Sequence, residues 1–392
     1  VSRKGEKMSE FVEKVIVVVG SQNRGGFEYP GGFYVIDFSN APGEVPAPVP
    51  VSPPFPGGCV VDCSQKLAAV GNYTGSGFVT IYDISTPAAP RSFGSTPALS
   101  SVVGLPPNQG PADFAGIGSI SFYGGYVLAG EAGNATIAAG GDHEISWYGR
   151  VALIEISNLS NPQVYDTGLN TVTGVAIFGP YGVVCGLSGS SDAFQVVSLG
   201  ESSLSLGPVI EFGTPVIPPV EGAPVIVICD FDGTNAVFSD GVNLYTCGIS
   251  NGQPTAVSGG LANGITSVTI AESGGSLQIA SVGGAGLNIN GQTVGEAIEN
   301  GFAVKYLRSI TGSSGQLGAM GFTGDNQEGA GEYAVAYFSL PPHATGAMWK
   351  QQGQASVLFP GSPGYTLGIG TFAVVVGPPF RPPTPFPSVL SR

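Results

Sequence analysis

The chain has 392 residues, among them 63 Gly and 32 Pro, with 42% hydrophobic residues, a mean hydropathy of +0.26 and a formal net charge of −14. Such apolar content excludes a disordered chain, and a balance of 13 basic to 27 acidic residues excludes nucleic acid as a natural partner. From 151 to 304 there is no Lys, Arg or His while 12 Asp and Glu occur, so that stretch cannot hold phosphate or an anionic headgroup by charge.

The N-terminal arm, 1–14, mixes Arg3, Lys4, Lys7 and Lys14 with Glu6, Glu10 and Glu13 and has no apolar run before Phe11. It does not read as a secretory signal. That points to the cytoplasm if this N-terminus is native, and to the periplasm or the exterior if a signal has been cleaved. The longest apolar runs, VIVVV at 15–19 and VIVIC at 225–229, fall far short of the roughly 18 residues of a membrane helix, so no membrane span is expected.

From residue 15 onward, Gly and Pro leave almost no stretch with helical periodicity, and the expected class is all-β. One strand type recurs: FYVIDFS at 33–39, VTIYDIS at 79–85, VALIEIS at 151–157 and FQVVSLG at 194–200, then weaker copies at 244–250, 286–291 and 334–340. About ten residues before each lies a second apolar run, from VIVVVG at 15–20 to LGAMG at 317–321. Further upstream sits a third run, from GCVVDCS at 58–64 to AVKYLRS at 303–309, but only six times. The seventh is FAVVVG at 372–377. Outer strands are expected at FPGG 55–58, FGSTP 93–97, FGTP 212–215 and FPGSP 359–363.

A four-stranded unit of about 45 residues repeated seven times predicts a seven-bladed β-propeller over 15–377. Its ring is closed by pairing the N- and C-terminal strands. A Pro-rich tail follows at 378–392, read either as a docking segment or as a polyproline II extension over the first blade. Cys59 and Cys63, four apart in a strand, would hold their Cα atoms about 13 Å apart, beyond the limit of about 7 Å for a disulfide. Unbridged, mostly buried thiols are expected.

VTIYDISTPAAP at 79–90 and VALIEISNLSNP at 151–162 resemble the third strand and following turn of the LVIVD-type propeller repeat: an apolar strand, an acid, an apolar residue, Ser and a Pro-bracketed turn. FYVIDFSN at 33–40 and LYTCGISNGQP at 244–254 match in part. The resemblance implies the fold and no activity, and it implies an extracellular or periplasmic setting. Asp83 and Glu155 are expected to cap the turns that follow by accepting backbone N–H bonds.

In such a fold the second-to-third hairpins and the blade-to-blade connections share one face, where ligands usually bind. The blade-to-blade loops bring Asp113, Asn170, Glu221, Asn263 and Asn300, beside Glu299, to the points just before the inner strands. Converging on the axis, these oxygens could hold Ca²⁺, as propeller lactonases do, or simply satisfy loop backbone. The main insertion, EAGNATIAAGGDHEISWYGR at 131–150, carries Asp142, His143 and Glu144 as candidate acid, base and orienting groups, with Trp147, Tyr148 and Arg150 as candidate ligand contacts. In an extended segment His143 shares a side with at most one direct neighbour. Arg24, Glu28 and Tyr29 add to the same acidic, aromatic face, whereas the opposite face is expected to have only short turns.

With only two His, no CxxC pair and no nucleophile elbow, histidine-rich metal centres, haem attachment and serine-hydrolase chemistry are set aside. Three readings remain: a module binding a small molecule or a protein partner, a lactonase-like hydrolase, lyase or isomerase acting on a neutral or cationic molecule, and a structural surface protein. No cofactor is required, Ca²⁺ at the channel mouth aside.

Overall fold

The computed structural model describes residues 14–23, 31–37, 49–55, 59–64, 66–72, 77–102, 116–131, 135–137, 143–145, 149–189, 191–200, 203–212, 228–259, 265–273, 276–283, 286–289, 292–293, 302–309, 316–323, 332–339, 350–358 and 367–377. Among them there is no α-helix, and the two 3-10 turns, Leu99–Ser101 and Ile156–Asn158, are single turns. No helix there is long and apolar enough to cross a membrane.

The strands form antiparallel sheets whose members follow one another in the chain. The second sheet runs Cys59–Ser64, Leu67–Asn72, Val79–Asp83, Arg91–Ser95, and the third Ile117–Tyr123, Tyr126–Glu131, Arg150–Glu155, Gln163–Asp166. The fourth is Thr171–Phe178, Tyr181–Ser188, Ser191–Gly200, Ser203–Glu211, and the fifth begins Ile228–Phe231, Asn235–Ser239, Leu244–Ser250. A sixth starts at Ile265–Ser273 and a seventh at Phe302–Ser309. The first sheet breaks the pattern. Its strands Lys14–Asn23, Gly31–Asp37 and Val49–Phe55 take Leu367–Gly377 as the inner neighbour, with Val18 opposite Ala373 and Val19 opposite Phe372.

The second to fifth sheets bury apolar residues on both faces. In the second sheet, Val61, Cys63 and Val70 pack with Phe33 and Val35 of the first, while Val60, Ala69 and Ile81 pack with Ile117, Ile120 and Phe122 of the third. Alternate residues of one strand thus feed two cores, so the strands read as unbroken apolar runs instead of alternating ones. Between the fourth and fifth sheets the contact is aromatic: Phe194 and Phe238 lie 4.5 Å apart, with Phe212 at 5.3 Å from Phe238. All five cysteines are buried in these layers and none is bridged.

A recurring polar bond joins the sheets at their first strands. Asp62 Oδ2 accepts the Phe122 N–H at 2.7 Å, Ser121 Oγ accepts the Ile177 N–H at 3.0 Å, and Asp230 Oδ2 accepts the Ile270 N–H at 3.0 Å and the Thr269 hydroxyl at 2.6 Å. Asp62, Ser121, Ala176, Asp230 and Thr269 occupy one position in successive repeats. At the fourth sheet that position is Ala176, which has no acceptor to offer. The Phe231 N–H opposite it is taken by its own neighbour, Asp230 Oδ1, at 2.9 Å.

The first strands share a second feature. The register skips one residue near the start of the strand, at Gly118 in the third sheet, Thr173 in the fourth, Thr266 in the sixth, Lys305 in the seventh and Gly370 in the first. A bulge adds local twist and bends the strand.

Three expectations are corrected here. Of the Phe-Gly motifs, FGSTP lies on its outer strand, Arg91–Ser95, whereas Phe55 is the last residue of Val49–Phe55, Phe212 falls just past Ser203–Glu211, and 359–363 lies outside the described residues. Asp83 does accept the Ser85 N–H at 2.9 Å, and the Ser85 hydroxyl and N–H hold its carboxyl below the usual range. Glu155 instead accepts the Ser157 hydroxyl, since its longer side chain reaches past the backbone. The end opposite the second-to-third hairpins also carries two long connections, 38–48 and 340–349, between third and outer strands.

The joint bonds give a ranked prediction. Asp230→Ala strands the buried Phe231 and Ile270 N–H groups and Asp62→Ala strands that of Phe122; each lost acceptor is worth about 1–3 kcal/mol. Ser121→Ala should cost least, as a neutral acceptor. Urea unfolding of the three variants gives the order, and equal losses would dismiss the account.

Candidate functional site

Successive strands are antiparallel, so first-to-second and third-to-fourth turns lie at one end of the sheets. Second-to-third hairpins and sheet-to-sheet connections lie at the other. At this second end the third sheet departs from the repeat. The chain leaves after Glu131, forms a small separate ladder of Ala135–Ile137 with His143–Ile145, and returns at Arg150. In that ladder Ile137 stands opposite His143 and Thr136 opposite Glu144.

The root of the insertion is locked. Glu131 and Arg150 are both fully buried, and the guanidinium forks onto the carboxylate, Nε to Oε2 at 2.7 Å and Nη2 to Oε1 at 2.6 Å. Gly149, one residue before, is packed so closely that a Cβ would stand 1.8 Å from the Leu169 carbonyl oxygen. Its own carbonyl accepts the Thr167 N–H at 2.9 Å and the Thr167 hydroxyl. Breaking a buried pair by removing one partner costs about 3–5 kcal/mol, because the other charge stays behind. The Arg150 guanidinium is therefore committed to Glu131.

The remaining sequence candidates divide in two. His143 and Glu144 lie on the strand His143–Ile145, and Asn170 lies just before Thr171–Phe178. The Asn170 side-chain oxygen accepts the Gly189 N–H, closing the connection into the fourth sheet. Arg24, Glu28, Tyr29, Asp113, Asp142, Trp147, Tyr148, Glu221, Asn263 and Asn300 lie outside the described residues. Among the described residues no group of three or more His, Cys, Asp or Glu could hold a metal ion.

The same end of the molecule holds a polar cluster that sequence reasoning missed. Asp192 precedes Phe194 by two residues on the third strand of the fourth sheet. Asp240 follows Phe238 by two at the end of the second strand of the fifth. Residues two apart on a strand line one face, so the stacked pair Phe194–Phe238 sets Asp192 and Asp240 against each other across the joint. Asp240 is held by four donors: the Val242 and Asn243 N–H groups on Oδ1, and the Asn243 amide at 2.9 Å and the Tyr245 hydroxyl at 3.1 Å on Oδ2. Asp192 is fully buried, and neither of its oxygens has a hydrogen-bond partner. The available signal was the period of two running from each Phe to its Asp.

Burial, and after it the charge of Asp240, pushes the Asp192 carboxyl up to about 7. Burial and Asp240 likewise raise the Tyr245 hydroxyl. An acid that binds its proton more tightly folded than unfolded makes stability fall as pH rises. For Asp192 the window runs from its ordinary value of 3.8 to about 7. Below it the group is protonated in both states and costs nothing; above it the full cost is present. At about 1.4 kcal/mol for each pH unit, the loss is on the order of 4 kcal/mol. Asp192→Asn should flatten that slope and leave the variant more stable than the parent at pH values above the window. Urea titrations across the window, with chelator present, read it directly, and an unchanged slope in the variant would refute it.

No family model matches the chain, and no curated protein matches it. Solved structures do. A candidate 6-phosphogluconolactonase from Bacteroides fragilis is similar with a TM-score of 0.53 at 13% identity, over 96% of this chain and 100% of that one. The structure of U3-55K is similar with a TM-score of 0.50 at 10% identity, over 76% of this chain and 83% of that one. At such identities likeness speaks to fold and leaves activity to the site. The fold of this chain is that of the β-propellers.

Proposed function

We propose that residues 15–377 form a seven-bladed propeller of four-stranded blades, closed by Lys14–Asn23 against Leu367–Gly377, with a repeat of the LVIVD type. In support, first strands neighbour one another in turn from Cys59–Ser64 round to Phe302–Ser309, and Leu367–Gly377 neighbours both of these. Truncation after Gly370 removes most of the inner strand of the first sheet. It should abolish the cooperative thermal transition of the full chain; a truncated protein that keeps its melting temperature would defeat the closure.

We further infer that the protein is a binding module for a small molecule or a partner, acting through the face with the second-to-third hairpins. One observation carries this: the departure from the repeat between Glu131 and Arg150, with its own ladder and a root fixed by a buried ion pair. Ordering such a segment costs conformational entropy that the packing of the sheets does not require, and long loops on rigid scaffolds are where binding concentrates. In this reading Asp142, His143 and Glu144 supply acid, base and hydrogen-bonding groups, and Trp147 and Tyr148 an aromatic wall. Asp113, Glu28 and Tyr29 line the rim. With Arg150 committed to Glu131, an anionic group would be met by Arg24, and the ligand class is neutral or cationic. Asp113, Asn170, Glu221, Asn263 and Asn300 remain the proposed axial oxygen set for Ca²⁺.

His143→Ala and Glu144→Gln should weaken ligand-induced thermal shifts in a screen of neutral and cationic small molecules. Without ligand, stability should change by only about 0.5 kcal/mol, as at exposed loops. Variants indistinguishable from the parent would move the reading to a scaffold.

A hydrolase reading rests on the full-length similarity to the candidate 6-phosphogluconolactonase. An acidic face suits a neutral lactone better than a phosphorylated one. Hydrolysis of neutral lactones by the purified protein, lost in His143→Ala, separates it from the binding module.

A further inference from the structure

The joint between the fourth and fifth sheets differs from its described neighbours. Ala176 stands where Asp62, Ser121 and Asp230 tie one sheet to the next, and the Phe231 N–H turns back to Asp230. The same joint holds Asp192, with both oxygens unpartnered and no exposed surface, facing Asp240. Asp240 accepts four hydrogen bonds on its two oxygens, so the open acceptor positions of the joint belong to Asp192. No basic side chain of these sheets can reach the two carboxyl groups, because 151–304 contains no Lys, Arg or His. Arg150, the nearest basic residue before this stretch, is bound to Glu131.

An unpaired carboxylate in a buried joint is costly unless something positive joins it. We propose that the gap between Asp192 and Asp240 is a binding site for a hard divalent cation of the calcium class, which fastens the fourth sheet to the fifth. Asp192 supplies the two uncommitted oxygens, and Asp240 with the Tyr245 hydroxyl forms the opposite wall. The donors are all oxygen, the ligand type of Ca²⁺ in contrast to the nitrogen and sulfur that select zinc or copper. Asp240 is 2% exposed and the floor is the Phe194–Phe238 stack, so the slot between packed sheets suits a small ion better than an organic cation. This site is separate from the axial residues and does not rest on the ligand-binding reading of the face.

The test uses the full chain, stripped with chelator and exchanged into chelator-free buffer above the titration range of Asp192. Addition of CaCl₂ should raise the melting temperature saturably by several degrees, where NaCl of matched ionic strength does not. Tb³⁺ should show aromatic-sensitised luminescence from Tyr245 that Ca²⁺ displaces. Asp192→Asn should diminish both signals, leaving only what the axial set contributes, while folding normally, and Tyr245→Phe should reduce the luminescence but keep the thermal shift. A parent without a calcium-dependent shift, a shift fully retained in Asp192→Asn, or a shift produced only by small organic amines would each overturn the site.

Discussion

In the second to fifth sheets, which bury apolar residues on both faces, the first strands meet their neighbours through side chains and not through a continuing ladder. Asp62, Ser121 and Asp230 each take a backbone N–H from the next first strand. An N–H buried at that depth, away from water and from any ladder, would otherwise be unsatisfied. The bond fixes the height and rotation of one sheet against the next, and the apolar clusters then fill the wedges between. Where the acceptor is missing, at Ala176, aromatic stacking holds the layers, and the polar problem reappears at the rim as Asp192.

Composition follows from this plan. The inner strands of the second to fifth sheets serve two cores, which drives apolar residues into runs, and close approach of backbone to backbone selects Gly, as at Gly149 under Leu169. Charge inside the fold is confined to the joints, as at Asp62 and Asp230, and to the ends of the sheets. In the third sheet it is paired inside the fold, Arg150 with Glu131; at the joint of the fourth and fifth it is doubled, Asp192 with Asp240, in a stretch of sequence without Lys, Arg or His.

Much of the fold was legible because repeats multiply weak signals: FYVID, VTIYD and RVALIE each say little alone, but their common spacing locates the strands on either side. The pairing of VIVVVG with FAVVVG was legible for the same reason, as the remainder of a count. The site was less so. The buried fork of Arg150 on Glu131 joins residues that a sequence reading places at the two ends of an insertion, without showing that they meet. Asp192 looks like a turn residue in SGSSDAF until the stacking of Phe194 on Phe238 shows which way that strand faces. The skipped residues at Thr173 and Thr266 left no mark at all, since a bulge is a matter of register, which the sequence of a single strand does not contain.

The first sheet is assembled from the two extremes of the described chain, and this has a consequence for synthesis. Lys14–Asn23 leaves the ribosome well before its inner partner, Leu367–Gly377, is made. In the interval the run VIVVV has an open edge, uncharged at its centre and rich in β-branched residues, the profile of a strand that pairs with whatever edge it meets. Until Leu367–Gly377 covers it, the edge of a neighbouring nascent chain can take the same place.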